Sequence, residues 1–521
     1  MNKEKIVSQL WEVEKRLKNN MDANEYQNYV LAFLFYRYLS ERQEKCMIKS
    51  GLIDVVESKN INKAYKKQAE GTYLNDYLTD ITHLLGYAIG PEYTWASIIS
   101  RVNANKLTPS YLQDMLDSFN YNLKLNKDNT IHTFDGILDD MKLGNVMPSR
   151  IKAIADIISF LDEIKYKDEK GEDNLGDLYT YLIQQFAMNS GKKASEFYTP
   201  HEISEVLAKI VTIDLDPNIK NPEVYDFACG SGSLLLTVQD QLLGKNLKYS
   251  GQEVNTATYN LARMNLLIHD ISYQNIMLKN GDTLRKDWPE YVDEHGINHP
   301  CEFDMVVANP PYSARWNNED EKLKDDPRFK MYGALAPKTK ADYAFLLHGL
   351  YHLKQDGTMA IILPHGVLFR GAKEAQIRKI LLENNQIDTI IGLPANLLYS
   401  TGIPVVIIVL KKHKNNRNVL FIDASRNFAK GKKQNFLRKE DIKKIINTYK
   451  RRKDIDKYAH VASLDEIEEN DYNLNIPRYV DTFEPTPPVD LGKLRKEMKD
   501  TQREIEENRK EILKIMRQLD I

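Results

Sequence analysis

The first part of the chain has the hydrophobic pattern of packed helices. Apolar residues recur every three or four positions up to about residue 165, and strand signals are sparse. Asp22 and Glu25 have the three-residue spacing of a capping box, and residues 26–39 would be apolar around most of a helix. Further helical periodicity covers 108–121 and 149–164. The pattern predicts an N-terminal α-helical domain over residues 1–165 with a buried helix near its start.

Beyond residue 175, short apolar runs alternate with helical stretches. The predicted strands are 223–228, 247–254, 275–278, 303–308, 358–363, 387–393 and 405–410. The predicted helices are 201–212, 232–243, 256–268, 341–354 and 371–383. This alternation is typical of an α/β, Rossmann-like fold with a mostly parallel, doubly wound sheet, and we expect that domain over 166–480. The loop between the last two strands is too short for a crossover helix, so we expect one antiparallel strand.

The last segment, 481–521, is predicted to be a linker followed by a coiled-coil-like helix for subunit contact. After the proline-rich stretch 484–488, apolar residues recur every seven positions, although Thr501 and Asn508 weaken the second seam. The recurring residues are Leu491, Met498, Ile505, Ile512 and Leu519, joined by Leu494 and Ile515. A helix of another subunit and the chain's own N-terminal helices would cover this stripe equally well.

Composition narrows the class of protein. The chain has 521 residues, 42% hydrophobic and 28% charged, which indicates a globular protein of two or three domains. Its three cysteines lack disulfide or metal-site spacing, so we expect no metal and a reducing, cytoplasmic location. No signal peptide and no apolar stretch near ~18 residues is found, so no membrane contact is expected.

The net charge of −2 does not indicate a nucleic-acid binder, so contact with DNA would need local basic charge or a partner. Residues 411–453 hold 16 Lys/Arg and 3 Asp/Glu, with Phe421, Phe428 and Phe436 among them. Taken alone, this segment is best explained as a solvated protein face. Next to a DNA active site, a phosphate-binding surface becomes a competing explanation.

The most informative motif follows the predicted strand 303–308, which runs directly into Asn309, Pro310, Pro311 and Tyr312. Two prolines fix φ and hold a rigid turn at the sheet edge where ligands of open α/β sheets bind. An asparagine side chain and a proline carbonyl there can accept both hydrogens of an amino group. These hydrogen bonds draw the nitrogen lone pair out of conjugation and aim it at an electrophile. The transfer then depends on positioning and electrostatics, and no general base is needed before it. Tyr312 can stack on a flat base. Without this strand, the tetrapeptide would be a plain turn.

A glycine loop after the first predicted strand indicates the cofactor. Gly230, Ser231 and Gly232 let a ligand approach the backbone, but Leu235 replaces the third glycine of a dinucleotide fingerprint. Asp226 at the start of the loop would repel a pyrophosphate and attract a cationic amino acid group. This preference points to S-adenosylmethionine.

Further candidates for cofactor binding lie on either side of this loop. Glu253 ends the next strand, at about the 20-residue spacing where a carboxylate binds ribose hydroxyls, although an ordinary surface acid is the alternative. Asp282 could hydrogen-bond the cofactor's adenine. Upstream, a segment that ends in Thr-Pro forms a rigid lip before the predicted helix 201–212, and its aromatic Phe197 could cover a sulfonium. The residues of this lip are Ser195, Glu196, Phe197, Tyr198, Thr199 and Pro200.

Together these motifs resemble the amino-group DNA methyltransferases, and above all the modification (HsdM) subunits of type I restriction–modification systems. The resemblance covers nearly the whole chain, including the segments 10–11, 26–40, 341–345, 356–358, 363–369, 431–435 and 472–479. Ser195 stands where glycine is usual, and Phe227 where proline is common.

The resemblance implies transfer of a methyl group from S-adenosylmethionine to the exocyclic amino group of a flipped-out adenine in DNA. It also implies two copies of the chain per specificity subunit, which reads the DNA, and a restriction subunit. We further hypothesise that Phe329 and the loop 315–340 close over the base. The alternatives are methylation of a protein glutamine side chain or of ribosomal RNA, and a scaffold without activity, which intact Asn309, Asp226 and Glu253 argue against.

Overall fold

A computed structural model gives the fold. It describes residues 3–17, 23–53, 61–125, 134–139, 150–166, 174–189, 198–285, 288–399, 401–432, 434–483 and 490–518. The chain forms two compact units, Met1–Val480 and Asp481–Ile521. The further division of the first unit at residue 165 stays a prediction. Among the described helices, none has the length and apolar character needed to cross a bilayer.

Helices make up the described part of the chain before residue 190. They are α1 (Lys3–Leu17), α2 (Ala23–Lys49), α3 (Ile61–Gln68), α4 (Tyr73–Leu85), α5 (Trp95–Asn103), α6 (Pro109–Leu123), α7 (Ile151–Glu163) and α8 (Leu175–Asn189). The buried helix predicted from 26–39 is confirmed, because α2 is apolar on nearly every side and its Phe33, Tyr36 and Leu39 are buried. The proposed N-cap, Asp22, lies outside the described residues.

The rest of the first unit is built on a nine-stranded sheet in the order β13-β10-β8-β9-β7-β6-β1-β2-β3. Its strands are β1 (Glu223–Asp226), β2 (Lys248–Glu253), β3 (Ile276–Asn280), β6 (Phe303–Ala308), β7 (Leu353–Pro364), β8 (Ile387–Gly392), β9 (Val405–Leu410), β10 (Val419–Asp423) and β13 (Ala459–Ala462). Two small hairpins stand apart from it, formed by β4 (Glu290–Val292) with β5 (Asn298–Pro300) and by β11 (Ala429–Lys430) with β12 (Asn435–Phe436).

Helices precede, connect and follow the strands of the sheet. They are α9 (His201–Ile213), α10 (Ser233–Asp240), α11 (Thr256–Ile268), α12 (Asp342–Tyr351), α13 (Ala372–Glu383), α14 (Lys439–Arg451) and α15 (Leu464–Glu469). The predicted Rossmann-like α/β fold is confirmed. The antiparallel strand expected between the last two predicted strands is also confirmed, since β9 runs opposite to both β7 and β8, but the sheet has a second one, because β13 runs opposite to β10. The prediction of a helix over 341–354 was wrong at its end, because β7 already begins at Leu353.

The sheet has two edges that matter for function. We call the edge where β1, β2, β6, β7, β8 and β10 end the carboxyl edge, and the opposite one the amino edge. Because β9 is reversed, its first residue Val405 pairs with Pro364 at the carboxyl edge, and Leu410 pairs with Ile387 at the amino edge. In the parallel pair of β8 and β10, Asp423 lies beside Gly392, so the chain returns to the carboxyl edge there.

The structure corrects the interpretation of one residue in the basic segment 411–453. Phe421 lies in β10, is fully buried, and stacks on Tyr479 with ring centroids 3.9 Å apart. It belongs to the hydrophobic core, so it cannot contribute to a surface. Phe436, by contrast, is 41% exposed.

The second unit contains α16 (Leu491–Gln518), a helix of 28 residues and therefore about 42 Å long. All of its described residues are exposed, among them Leu491, Met498, Ile505 and Ile512 of the heptad stripe. Leu519 of that stripe lies outside the described residues. The predicted helix is confirmed, while its role in subunit contact stays a prediction.

Candidate cofactor and catalytic site

Most of the predicted site residues meet at the carboxyl edge around β1, β2 and β6. A cavity of about 460 Å³ there is lined by Glu253, Asp282, Asn309 and Pro311. This volume lies in the range of small-molecule sites, roughly 300–1,000 Å³. A smaller pocket beside it is lined by predicted site residues Tyr198, Thr199, Asp226, Gly230 and Ser231. Ala228 and Asn309 line both, so the two spaces share a wall.

The glycine loop adopts the tight turn that its sequence allows. Gly230 and Gly232 have φ of 53° and 74°, a left-handed conformation that glycine adopts without strain. The backbone N–H of Gly230 donates to Glu253 Oε2 at 3.2 Å, and that of Asn255 donates to Glu253 Oε1 at 2.8 Å. The Glu253 carboxylate therefore ties the glycine loop to the end of β2, where it also lines the larger cavity.

Asp226 is a buried acid at the start of the loop. Its Oδ1 accepts a hydrogen bond from the Ala228 backbone N–H at 3.0 Å, and only 2% of the residue is exposed. Burial raises the pKa of this carboxyl to about 8, and the nearby charge of Glu253 adds to the rise. A cationic ligand in the pocket would favour the charged carboxylate and lower that pKa again.

Asn309 leaves the end of β6 and is held from two sides. Its Nδ2 donates to Thr199 Oγ1 at 3.1 Å, and the Tyr312 hydroxyl donates to its Oδ1 at 2.5 Å. Burial, followed by the charge of Asp342, raises the pKa of the Tyr312 hydroxyl, which therefore stays protonated and able to donate. Thr199, predicted as a cofactor residue, thus directly orients the predicted catalytic side chain. Pro310 is buried beside Asn309, whereas Pro311 is exposed.

The turn after Tyr312 depends on a residue that sequence reasoning did not place in the site. Ser313 has a φ of 50°, and its backbone N–H donates to Asp342 Oδ1 at 2.8 Å. Asp342 is buried at the start of α12, and its Oδ2 accepts from Arg370 at 2.5 Å. The only signal in the sequence was the resemblance of segment 341–345 to the family.

Other predicted residues have different outcomes. Pro200 is the residue before α9, and Gly232 the one before α10, so both shape helix starts next to the pockets. Ser195, Glu196 and Phe197 lie outside the described residues.

The hypothesis that Phe329 closes over the base was wrong. Phe329 is only 2% exposed and packs edge-on against Trp316, with ring centroids 5.7 Å apart. The neighbouring Arg328 donates to the Thr283 carbonyl at 3.0 Å, next to Asp282. Phe329 therefore belongs to the packed support of the cavity.

Comparisons with known proteins agree with this arrangement. The family model for N-6 DNA methylases matches residues 170–486, and that for the HsdM N-terminal domain matches residues 6–159. The type I restriction enzyme MpnII methylase subunit of Mycoplasma pneumoniae is 35% identical over 98% of this chain and 95% of its own. The type I restriction enzyme MjaVII methylase subunit of Methanocaldococcus jannaschii is 31% identical over 93% and 79%, respectively.

A solved structure is similar as well. The crystal structure of the type I restriction–modification system methyltransferase subunit from Streptococcus thermophilus superposes with a TM-score of 0.81 at 42% identity, covering 92% of this chain and all of that one. With the sheet and the glycine loop, these matches define an S-adenosylmethionine-dependent methyltransferase. The chain belongs to the N-6 DNA methylase family and is an adenine-specific DNA methyltransferase of the type I restriction–modification kind.

Proposed function

We propose that the chain is the modification subunit of a type I restriction–modification complex and methylates the exocyclic amino group of an adenine that has been flipped out of duplex DNA. The observation that carries this proposal is the position of Asn309. It lies at the carboxyl end of β6, in the wall shared by the two pockets, and Thr199 and Tyr312 hold its amide. An amino group bonded to Asn309 would therefore lie next to the ligand of the cavity.

The residues around the cavity fit S-adenosylmethionine. Asp226 is a buried acid suited to a cationic amino acid group, and Glu253 and Asp282 are acids that could bind ribose hydroxyls and the adenine. The cofactor supplies an electrophilic methyl group on a positively charged sulfur. The ionised Asp226 carboxylate would hold the cationic end, and Gly230, which has no side chain, would allow a ligand to approach the backbone closely.

The catalytic motif orients the nucleophile. Asn309 Oδ1 and the Pro310 carbonyl oxygen would accept the two N–H groups of the target adenine, which localises the lone pair on its nitrogen. Tyr312 would stack on the base and help to offset the few kcal/mol that flipping costs. Because the nitrogen is activated by hydrogen bonding and position, no residue has to remove a proton before transfer.

We expect sequence recognition to come from a separate specificity subunit, with two copies of this chain for each such subunit, and a restriction subunit to complete the endonuclease. The net charge of −2 supports borrowed recognition. The apolar stripe of α16 offers a surface for a partner helix, and its exposure over all described residues supports that use. A cytoplasmic location follows from the same proposal.

The test is methyl transfer in a reconstituted complex. The chain is co-purified with the products of its neighbouring genes and incubated with radiolabelled S-adenosylmethionine and DNA, with and without the specificity subunit. We expect label in N6-methyladenine only when the specificity subunit is present. Label in protein or ribosomal RNA, and none in DNA, would instead support the alternative methyltransferase functions.

A further inference from the structure

The sheet separates the basic residues of segment 411–453 into two groups. The first group follows β9 at the amino edge and bonds to acids or to backbone carbonyls there. Lys411 pairs with Asp214 at 2.6 Å, and Lys412 pairs with Glu302 at 2.7 Å. Arg452, after α14, pairs with Asp388 at 2.8 Å. These cations stabilise the fold on the side of the sheet away from Asn309, so they are poorly placed to contact a DNA substrate.

The second group follows β10 at the carboxyl edge. Residues 424–438 contain five cationic side chains and no acidic one; the five are Arg426, Lys430, Lys432, Lys433 and Arg438. Arg438 is paired with Asp441 at 2.8 Å, whereas Lys430 and Lys432 are exposed at the tip of the β11–β12 hairpin. This hairpin, residues 429–436, therefore presents positive charge on the same edge as the catalytic motif.

The hairpin is a defined structure. Ala429 and Lys430 pair with Phe436 and Asn435, and a Cβ at Gly431 would lie 2.5 Å from the Gln434 carbonyl oxygen, so the turn requires glycine. Its second strand is docked on the loop after β8: the backbone N–H of Asn435 donates to the Asn396 carbonyl at 2.8 Å, and its side chain donates to the Ala395 carbonyl at 2.8 Å.

The same loop reaches the active site. Tyr399 of this loop packs against Tyr198 with ring centroids 6.0 Å apart, and Thr199, which follows Tyr198 in the chain, accepts a hydrogen bond from Asn309. Three strand spacings separate β8 from β6, which is about 14 Å at roughly 4.8 Å per strand. One turn of B-DNA is about 34 Å long, so phosphates within one turn of a base at Asn309 are within reach of the hairpin.

We propose that the hairpin 429–436 binds backbone phosphates of the substrate duplex within one helical turn of the flipped adenine, through Lys430 and Lys432. This inference rests on the proposed function and assigns DNA contact to one short part of the basic segment. Cationic side chains that neutralise phosphates release counterions, so the contact makes binding depend on salt concentration without depending on sequence. The exposed Phe436 lies beside these lysines on the same hairpin.

The test compares two double variants with equal loss of charge. Lys430→Ala/Lys432→Ala removes the hairpin cations, and Lys450→Ala/Arg451→Ala removes two exposed cations at the end of α14, near the amino edge. Each variant is assembled with the specificity subunit, and its affinity for a fluorescent duplex of roughly 30 base pairs, about three helical turns, is measured by anisotropy at increasing salt.

In a complex with two copies of the chain the hairpin variant loses four lysine contacts, and we expect the slope of log K against log salt to become less steep by about 3.6, or 0.9 for each contact. The affinity advantage of the wild type would then shrink about 150-fold between roughly 50 and 200 mM salt. The α14 variant should keep the wild-type slope, and both should bind S-adenosylmethionine like the wild type.

Equal slopes for the two variants, or no binding of the duplex by the wild-type complex at low salt, would overturn the inference. Methyl transfer to DNA by the wild type is measured in the same preparation. A complex that methylates DNA but has equal slopes refutes only the hairpin, whereas one that methylates protein or RNA refutes the proposed function.

Discussion

Asp304 and Asp388 at the amino edge of the central sheet pair with cationic side chains, whereas Asp226 at the carboxyl edge accepts a hydrogen bond from a backbone N–H. At the amino edge, Lys354 lies between Asp304 at 3.0 Å and Glu223 at 3.2 Å, and Arg452 is paired with the buried Asp388. At the carboxyl edge, the bond to the buried Asp226 comes from a backbone N–H, and its pKa is raised. Paired charges stabilise a fold, whereas a buried acid with a disfavoured charge lowers stability and is typical of a binding site. The following variants test this difference.

The largest effect is expected from Asn309→Ala at the carboxyl edge. Loss of a fixed acceptor for the amino group should lower the methyl-transfer rate about 10²–10³-fold, as the removal of one preorganised hydrogen bond does in other enzymes. Thr199→Val keeps Asn309 and removes only the hydroxyl that accepts a hydrogen bond from its side chain, so the rate should fall less. Rates are measured with saturating cofactor. An unchanged rate in the alanine variant would refute the catalytic role of Asn309.

Asp226→Asn should separate binding from stability. The folded-state pKa of about 8 lies above the unfolded value near 4, so the wild type loses stability as the pH rises between them. The variant has no such loss and should be more stable by up to about 4 kcal/mol at pH 7, with a much smaller gain at pH 5. Its affinity for S-adenosylmethionine should fall.

Thermal unfolding at both pH values and calorimetric titration with the cofactor measure these two effects. If Asp226→Asn lowered the melting temperature equally at pH 5 and pH 7, Asp226 would be a structural residue like the acids of the amino edge.

At the amino edge, Asp388→Ala should have the opposite effect on stability, which it lowers, and no effect on methylation. It leaves the Arg452 guanidinium without its acid in a largely buried position, which costs about 3 kcal/mol. The melting temperature should fall, while the methylation rate per folded molecule stays at the wild-type value. A rate defect at a temperature where the variant is fully folded would show that the two edges are functionally coupled.

The smallest effect is expected from Tyr312→Phe. The ring that would stack on the base is kept, and only the hydroxyl bond to Asn309 is lost, a bond worth about 1 kcal/mol. We expect a rate reduction below tenfold, and a larger one for Tyr312→Ala, in single-turnover measurements. Equal defects in the two variants would mean that the hydroxyl, and not the ring, carries the role of Tyr312.

The central strands of the sheet could be predicted because they are buried on both faces and appear in sequence as apolar runs. Both ends of β6 were predicted correctly. By contrast, β10 was missed because its five residues lie among lysines, arginines and asparagines, and Phe421 was therefore assigned to the basic surface. Its burial depends on β8 and β13, whose pairing only the folded chain brings about.

The motifs of the candidate site could also be found in the sequence, because each follows a strand and contains glycine, proline or an acid. The bonds between motifs could not. Thr199 and Asn309 are 110 residues apart, and Asp342 supports Ser313 from the start of another helix. Such contacts depend on where two loops meet, which the local pattern of either loop does not determine. The roles of these residues stay predictions until the variants are measured.

The bond from Tyr312 to Asn309 also bears on which bases the site would accept. The tyrosine hydroxyl presents a hydrogen to the amide oxygen. This oxygen has two lone pairs, so an adenine or cytosine amino group can donate to it while the tyrosine bond is kept. A thymine O4 would bring one acceptor against another and would form no bond. The motif would thus favour bases that carry an amino group, and the choice among adenine, cytosine and guanine would be left to the shape of the pocket.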